Sequence, residues 1–148
     1  MSVPFRFYLR VRYGECDAQK VVFNVRYADY LDIGLLEFIR AIGFGDALAN
    51  GVIDYQLVKL TVEWKAAAHF DDVLELSVST KRLGNTSFTI WTEMRIAGDE
   101  RVIVTGETVH VVVTPHTLQK MPIPGDFRTA LERGAPGVMA DHAGFLRS

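Results

Sequence analysis

The chain has 148 residues, of which 49% are apolar and 23% charged, with a formal net charge of −2. That length suits one domain able to bury a sizeable core, and the composition is globular rather than disordered. The near-neutral, slightly acidic balance gives no electrostatic case for nucleic acid or an anionic membrane as a partner, although basic residues can still gather around an anionic ligand.

In chain order, the opening "MSVPFRFYLR" has no apolar run of signal-peptide length, and no stretch approaches the ~20 residues of a membrane span. A cytoplasmic protein is expected. Residues 5 to 13 alternate, with Phe5, Phe7, Leu9, Val11 and Tyr13 on one side and Arg6, Arg10 and Arg12 on the other, the period of a half-buried strand. A loop follows. From about Val25 to Ile42 the apolar spacing becomes three and four: Tyr27, Tyr30, Leu31, Gly34, Leu35, Phe38 and Ile42 share one face of a helix about 27 Å long. Gly43 ends it.

Four strands are expected next: "YQLVKLTVEW", with Val58, Leu60, Val62 and Trp64 inward, then "VLELSVSTK", "TSFTIWTEMR" and "RVIVTGETVHVVV". Turns at "LGN" and "AGDE" separate the last three, and Pro115 closes the run. A short helix is expected over Phe127–Arg133, and the tail from about 134 is too weakly patterned to assign. The expectation is a single α+β domain over 1–148. Neither sheet edge is charged enough to stay alone, and Ile33 lies on the polar side of the helix, so a homo-oligomer is expected.

The loop "GECDAQKVVFNVRY" places Asp17 seven residues before Asn24, a good helix-capping residue. A helix start offers unpaired N–H groups and about half a positive charge, able to polarise a carbonyl oxygen as charge develops on it. A carboxylate folded back beside it would supply the nucleophile or the water-activating base. Spacing alone leaves this open against a solvated loop acid. Lone Cys16 excludes an internal disulfide or thiolate cluster, and its reading as a small inert thiol stands against one as a nucleophile. His69, His110, His116 and His142 show no metal-ligand spacing, so no metal is expected. His110 reads as a sheet residue and His69 as a turn residue with a possible place in the site. Trp64 and Trp91 read as core or interface aromatics.

"YGECDAQKVVFNVRYADYLD" resembles the signature of the hotdog-fold acyl-CoA thioesterases of the 4-hydroxybenzoyl-CoA thioesterase type. "FDDVLELSVSTKRLGNTSFTI" is similar to their turn and central strands, and the likeness spans about residues 6 to 125. The resemblance implies a hotdog fold, a long central helix wrapped by a five-stranded antiparallel β-sheet. It implies hydrolysis of an acyl-CoA thioester to a free acid and coenzyme A, with no further cofactor, in a dimer or tetramer whose site lies between subunits. Asp17 then matches the catalytic aspartate and Asn24 the residue whose backbone N–H faces the thioester carbonyl. Asp32 matches an aspartate that binds the substrate's phenol, favouring an aromatic acyl group. Phe23 and Tyr27 are candidates for lining the pocket.

Two departures stand out. The family usually has glycine where this chain has Lys20, and the "LGNTSF" bend lacks the family's basic cluster. Lys81 and Arg82, just before that bend, are left as candidates for holding the phosphates of coenzyme A. Otherwise other basic residues do so, or the acyl group arrives on a carrier protein. The alternatives are a non-catalytic acyl-thioester binding module and an enoyl-thioester hydratase; against the latter, Val22 stands where such relatives have a histidine.

Overall fold

The structure, a computed structural model, describes residues 3–147. Its elements are β1 (Phe5–Arg10), α1 (Arg26–Ala41), α2 (Gly45–Ala49), β2 (Tyr55–Trp64), β3 (Val73–Leu83), β4 (Ser87–Ile96), β5 (Val102–Val112), α3 (Gly125–Arg133) and β6 (Met139–Asp141). One six-stranded sheet runs in the order β2-β5-β4-β3-β1-β6. All neighbours are antiparallel except β1 and β6, which are parallel.

The expected face of α1 is the one that packs on the sheet. Tyr27, Tyr30, Leu31, Leu35 and Phe38 are buried against Phe5, Phe7, Leu74, Leu76, Ile90 and Val104. Each such side chain contributes roughly 1.5–3 kcal/mol through burial. Close approach of helix and sheet depends on Gly106 of β5, where an added Cβ would stand 2.5 Å from the Leu31 side chain. Among the described residues, no helix is long and apolar enough to cross a membrane.

Several expectations need correction. The sheet is six-stranded and mixed rather than five-stranded and antiparallel, because the tail folds back as β6 beside β1. The main helix is of ordinary length, 16 residues, and α2 and α3 accompany it. Tyr13 is exposed: β1 stops at Arg10 and the chain turns through a 3-10 turn at Tyr13–Glu15. On β2 a register shift between Leu57 and Lys59 breaks the alternation at Val58. Leu57, Val58, Leu60 and Trp64 are all substantially exposed, because β2 is a sheet edge that α1 does not cover.

Candidate active site

The acid-bearing loop is a small hairpin. Cys16 and Val22 form an antiparallel bridge, and the Asp17 N–H donates to the Val21 carbonyl at 2.9 Å. The Lys20 N–H donates to the Asp17 carbonyl, and Asp17 Oδ1 accepts the Gln19 N–H at 2.8 Å, a side-chain-closed turn. A three-residue loop of this kind needs one residue in the left-handed region after its turn. Lys20 takes that place with φ +63°, so the lysine keeps the backbone shape that glycine adopts freely. The Phe23 N–H donates to the Glu15 carbonyl at 3.0 Å, putting the hairpin base directly before the helix. Asp17 is two rungs further out, about 7 Å at roughly 3.3 Å per residue.

The helix begins at Arg26, with Val25 as its N-cap and no side-chain cap. Asn24 therefore lies just outside the helix and does not cap it with its side chain. Among the described residues, no protein acceptor takes the backbone N–H of Asn24 or of Val25. They stand at the positive end of α1, directly after the residue that joins the hairpin base. Asp17, Phe23, Asn24 and Val25 are all exposed in the single chain. The chain alone thus brings acid and donors to one end of the molecule without enclosing them.

Two tyrosines one helical turn apart tie the hairpin to α1. The Tyr30 hydroxyl donates to Glu15 Oε1 at 2.9 Å. Glu15, only 8% exposed, also accepts from the Arg12 backbone N–H and from the Arg12 guanidinium at 2.7 and 2.9 Å. Burial pushes the Glu15 carboxyl up, but the Arg12 backbone and side-chain bonds and the Tyr30 hydroxyl outweigh it and hold the group below the usual carboxylate range. The Tyr27 hydroxyl accepts the Ala68 N–H at 3.0 Å, and the Ala68 carbonyl accepts the Val22 N–H. Tyr27 is buried, with its edge toward Trp64, and so belongs to the core beneath the site.

Asp32 is exposed one turn further along α1. It borders a crevice of about 30 Å³ between α1 and strands β2 and β5, together with Ala28, Leu35, Leu57, Leu60 and His110. It also borders a more open cavity of about 550 Å³ on the other flank with Arg12, Glu15, Arg26, Asp29 and Ile33. Lys81 and Arg82 are elsewhere. The segment paired with the hairpin, Val21 opposite His69, leads into the start of β3 at Val73. Lys81 lies eight residues along that strand, about 26 Å at roughly 3.3 Å per residue. There it pairs with Glu107 and lies 5.1 Å from the centre of the Trp91 ring.

Sequence reading missed Glu15, whose signal was an acid two residues before Asp17 with tyrosines spaced by three on the next helix. Cys16 is a poor nucleophile: partial burial, and then the charges of Glu15 and Asp17, push its thiol pKa up and away from thiolate. His69 does flank the hairpin, but it serves a turn, with its N–H on Asp72 Oδ2 at 2.8 Å. His110 is buried in β5 as a sheet residue, stacked on Phe88 with its Nε2 2.9 Å from Thr108 Oγ1.

Comparison with known proteins agrees with this architecture. The chain is 27% identical over 121 residues to the acyl-CoA thioester hydrolase YbgC of Escherichia coli, covering 81% of this chain and 90% of that protein. It is 22% identical over 126 residues to a 1,4-dihydroxy-2-naphthoyl-CoA hydrolase of Synechococcus elongatus, covering 81% and 89%. The solved structure of a gentisyl-coenzyme A thioesterase superposes with a TM-score of 0.75 at 27% identity, covering 86% of this chain and 98% of that one. The sequence model of the thioesterase-like superfamily matches residues 11–131, from the end of β1 to within α3. By that match the chain belongs to the thioesterase-like superfamily, and its fold is the hotdog fold.

Proposed function

We propose that the protein is an acyl-CoA thioesterase, releasing a free acid and coenzyme A. The observation that carries this is that, among the described residues, the N–H groups of Asn24 and Val25 have no protein acceptor; they stand at the start of α1, directly after the Glu15–Phe23 rung that lies two residues from Asp17. The Asn24 N–H polarises the thioester carbonyl, and negative charge growing on that oxygen is stabilised there. Asp17 follows one of two balanced routes. As nucleophile, its carboxylate adds to the carbonyl carbon, the carbon–sulfur bond breaks, the thiolate leaves, and water cleaves the resulting mixed anhydride. As base, it takes a proton from water as the water adds, and the same bond then breaks.

The exposed apolar strip of β2 and the half-exposed Phe23 support a site completed by a second copy of the chain, the proposal of a homo-oligomer. Lys81 and Arg82 reach coenzyme A only in such a shared arrangement, since within one chain they sit far along β3. Lys20 and Arg26 flank the hairpin and helix start as further phosphate partners. An aromatic acyl group bearing a hydroxyl is supported by the two relatives named for gentisyl-CoA and dihydroxynaphthoyl-CoA substrates, and by Asp32 at the rim of the crevice.

Release of free thiol from a panel of benzoyl, hydroxybenzoyl and aliphatic acyl-CoAs tests the reading. Asp17→Asn is expected to lower kcat by about 10² or more, because the chemical step loses its acid. Thiol release by that variant at the wild-type rate removes Asp17 from the mechanism. Binding without any turnover in the wild type identifies a binding module instead. Oxygen-18 from solvent appearing in Asp17 after a single turnover selects the nucleophilic route.

A further inference from the structure

Every account of this site needs the acid and the helix start held in fixed relation, yet among the described residues no hydrogen bond or ion pair joins the Asp17 carboxylate to α1. Its carboxylate accepts the Gln19 N–H of its own turn. The connection runs through its neighbours. On the incoming strand of the hairpin, Glu15 receives the Tyr30 hydroxyl at 2.9 Å. On the outgoing strand, Val22 donates to the Ala68 carbonyl, and the Ala68 N–H donates to the Tyr27 hydroxyl. The two rings meet edge to face at 5.9 Å and 85°, so each fixes the other's position. Both arms of the hairpin are therefore pinned to the first turn and a half of one helix.

We propose that Glu15 and Tyr30 are positioning residues for thioester hydrolysis: the Tyr30–Glu15 hydrogen bond fixes the Asp17 hairpin against the N-terminus of α1, with the Tyr27–Ala68 bond as its counterpart on the other arm. The proposal rests on the reading of Asp17 as the acid of the reaction. Its physical basis is that a small misplacement of a reacting group costs much in rate while costing little in binding. The Glu15 carboxylate suits the task because it is buried and has all its bonds short, which makes the tether stiff. Arg12, itself largely exposed, supplies the neutralising charge that lets a carboxylate be used there at all.

Tyr30→Phe removes one oxygen and leaves the ring packing, so it is the decisive variant, with Glu15→Gln beside it. Tyr30→Phe is expected to lower kcat about tenfold with KM changed less than about twofold. Amide exchange of Asp17, Val22 and Phe23 is expected to quicken about tenfold while exchange in β3 to β5 stays unchanged. Combining Tyr30→Phe with Glu15→Gln is expected to cost less than the sum of the two single changes, since both act on the Tyr30–Glu15 bond while Glu15→Gln also weakens the pairing with Arg12. Wild-type kcat and wild-type exchange at those three amides in both single variants would overturn the proposal. So would faster exchange everywhere with kcat per folded molecule unchanged, because that marks a purely structural role. Asp17→Asn is assayed alongside. If it hydrolyses normally, the reaction assignment fails, and the three amide rates alone decide whether the clamp exists.

Discussion

Two carboxylates stand two residues apart on one hairpin and live in opposite environments. Glu15 is buried, charged, and bonded four ways to Arg12 and Tyr30; Asp17 is open to solvent and bonded once, to its own turn. Their places in the backbone explain the difference: Glu15 ends the 3-10 turn at the hairpin base, where the Tyr30 hydroxyl meets it, whereas Asp17 stands at the outer end of the hairpin, where its carboxylate closes the turn. The inward acid has become part of the scaffold and the outward one is free to meet a substrate. Charge alone does not mark the reactive group; the unspent hydrogen-bonding capacity does.

The sharpest way to break this contrast is to remove each acid and compare stability. Glu15→Ala is expected to cost about 2–4 kcal/mol in urea unfolding, because it leaves the Tyr30 hydroxyl and the Arg12 N–H groups without their partner. Asp17→Asn is expected to stay within about 0.5 kcal/mol, as an exposed site should. Equal losses would dissolve the distinction between the two acids.

Acid unfolding separates Glu15 from His110, another buried titrating group. Burial holds the His110 imidazole down to about 4, against an ordinary 6.5. The unfolded chain therefore binds a proton between those values while the folded chain resists it, so stability is full above 6.5 and falls as pH drops toward 4. About 3 kcal/mol is expected to be lost there at roughly 1.4 kcal/mol per unit, and His110→Phe is expected to flatten that stretch. The Glu15 contribution has the depressed-carboxylate sign: it is present above about 4.5 and disappears as pH falls below that. Unfolding curves at stepped pH in wild type, His110→Phe and Glu15→Gln resolve the two windows.

The smallest expected effect concerns the turn that carries Asp17. Lys20→Gly relieves a left-handed lysine and is expected to raise stability by about 0.5–1 kcal/mol, a gain of roughly 2–4 °C in melting temperature. A fall in stability instead would show that the Lys20 side chain contributes more than its backbone strain costs.

Much of this architecture could be read from residue order. Alternation located the cores of β1 and β3, the turns at "LGN" and "AGDE" set off β4 and β5, and the three-and-four spacing from Tyr27 to Phe38 located α1 with its buried face. The helix start beside Asn24 was legible too. What escaped was whatever depends on a distant partner. β6 is three residues long and exists because β1 accepts it and because Asp141 gathers the N–H groups of Ala143, Phe145 and Leu146 into a tight turn. No local pattern marks so short a strand. Glu15 escaped because its burial depends on Tyr30, which lies on the next helix, rather than on its own neighbours in sequence. The exposure of Leu57, Leu60 and Trp64 could not be foreseen from alternation, which says which side a residue faces but not whether anything covers that side.

The added strand at the end of the chain has a consequence for how copies can meet. The superfamily match stops at Leu131, and beyond it the chain uses β6 to occupy the outer rim of β1, with Val138 and Tyr8 carbonyls both engaged across the seam. The sheet therefore ends on that side in a strand of 3 residues, while the rim at β2 runs for 10. A rim so short offers few backbone groups to a second molecule, and a long one offers many. Trimming one side in this way lowers the hazard of open-ended growth that a sheet with two long rims carries.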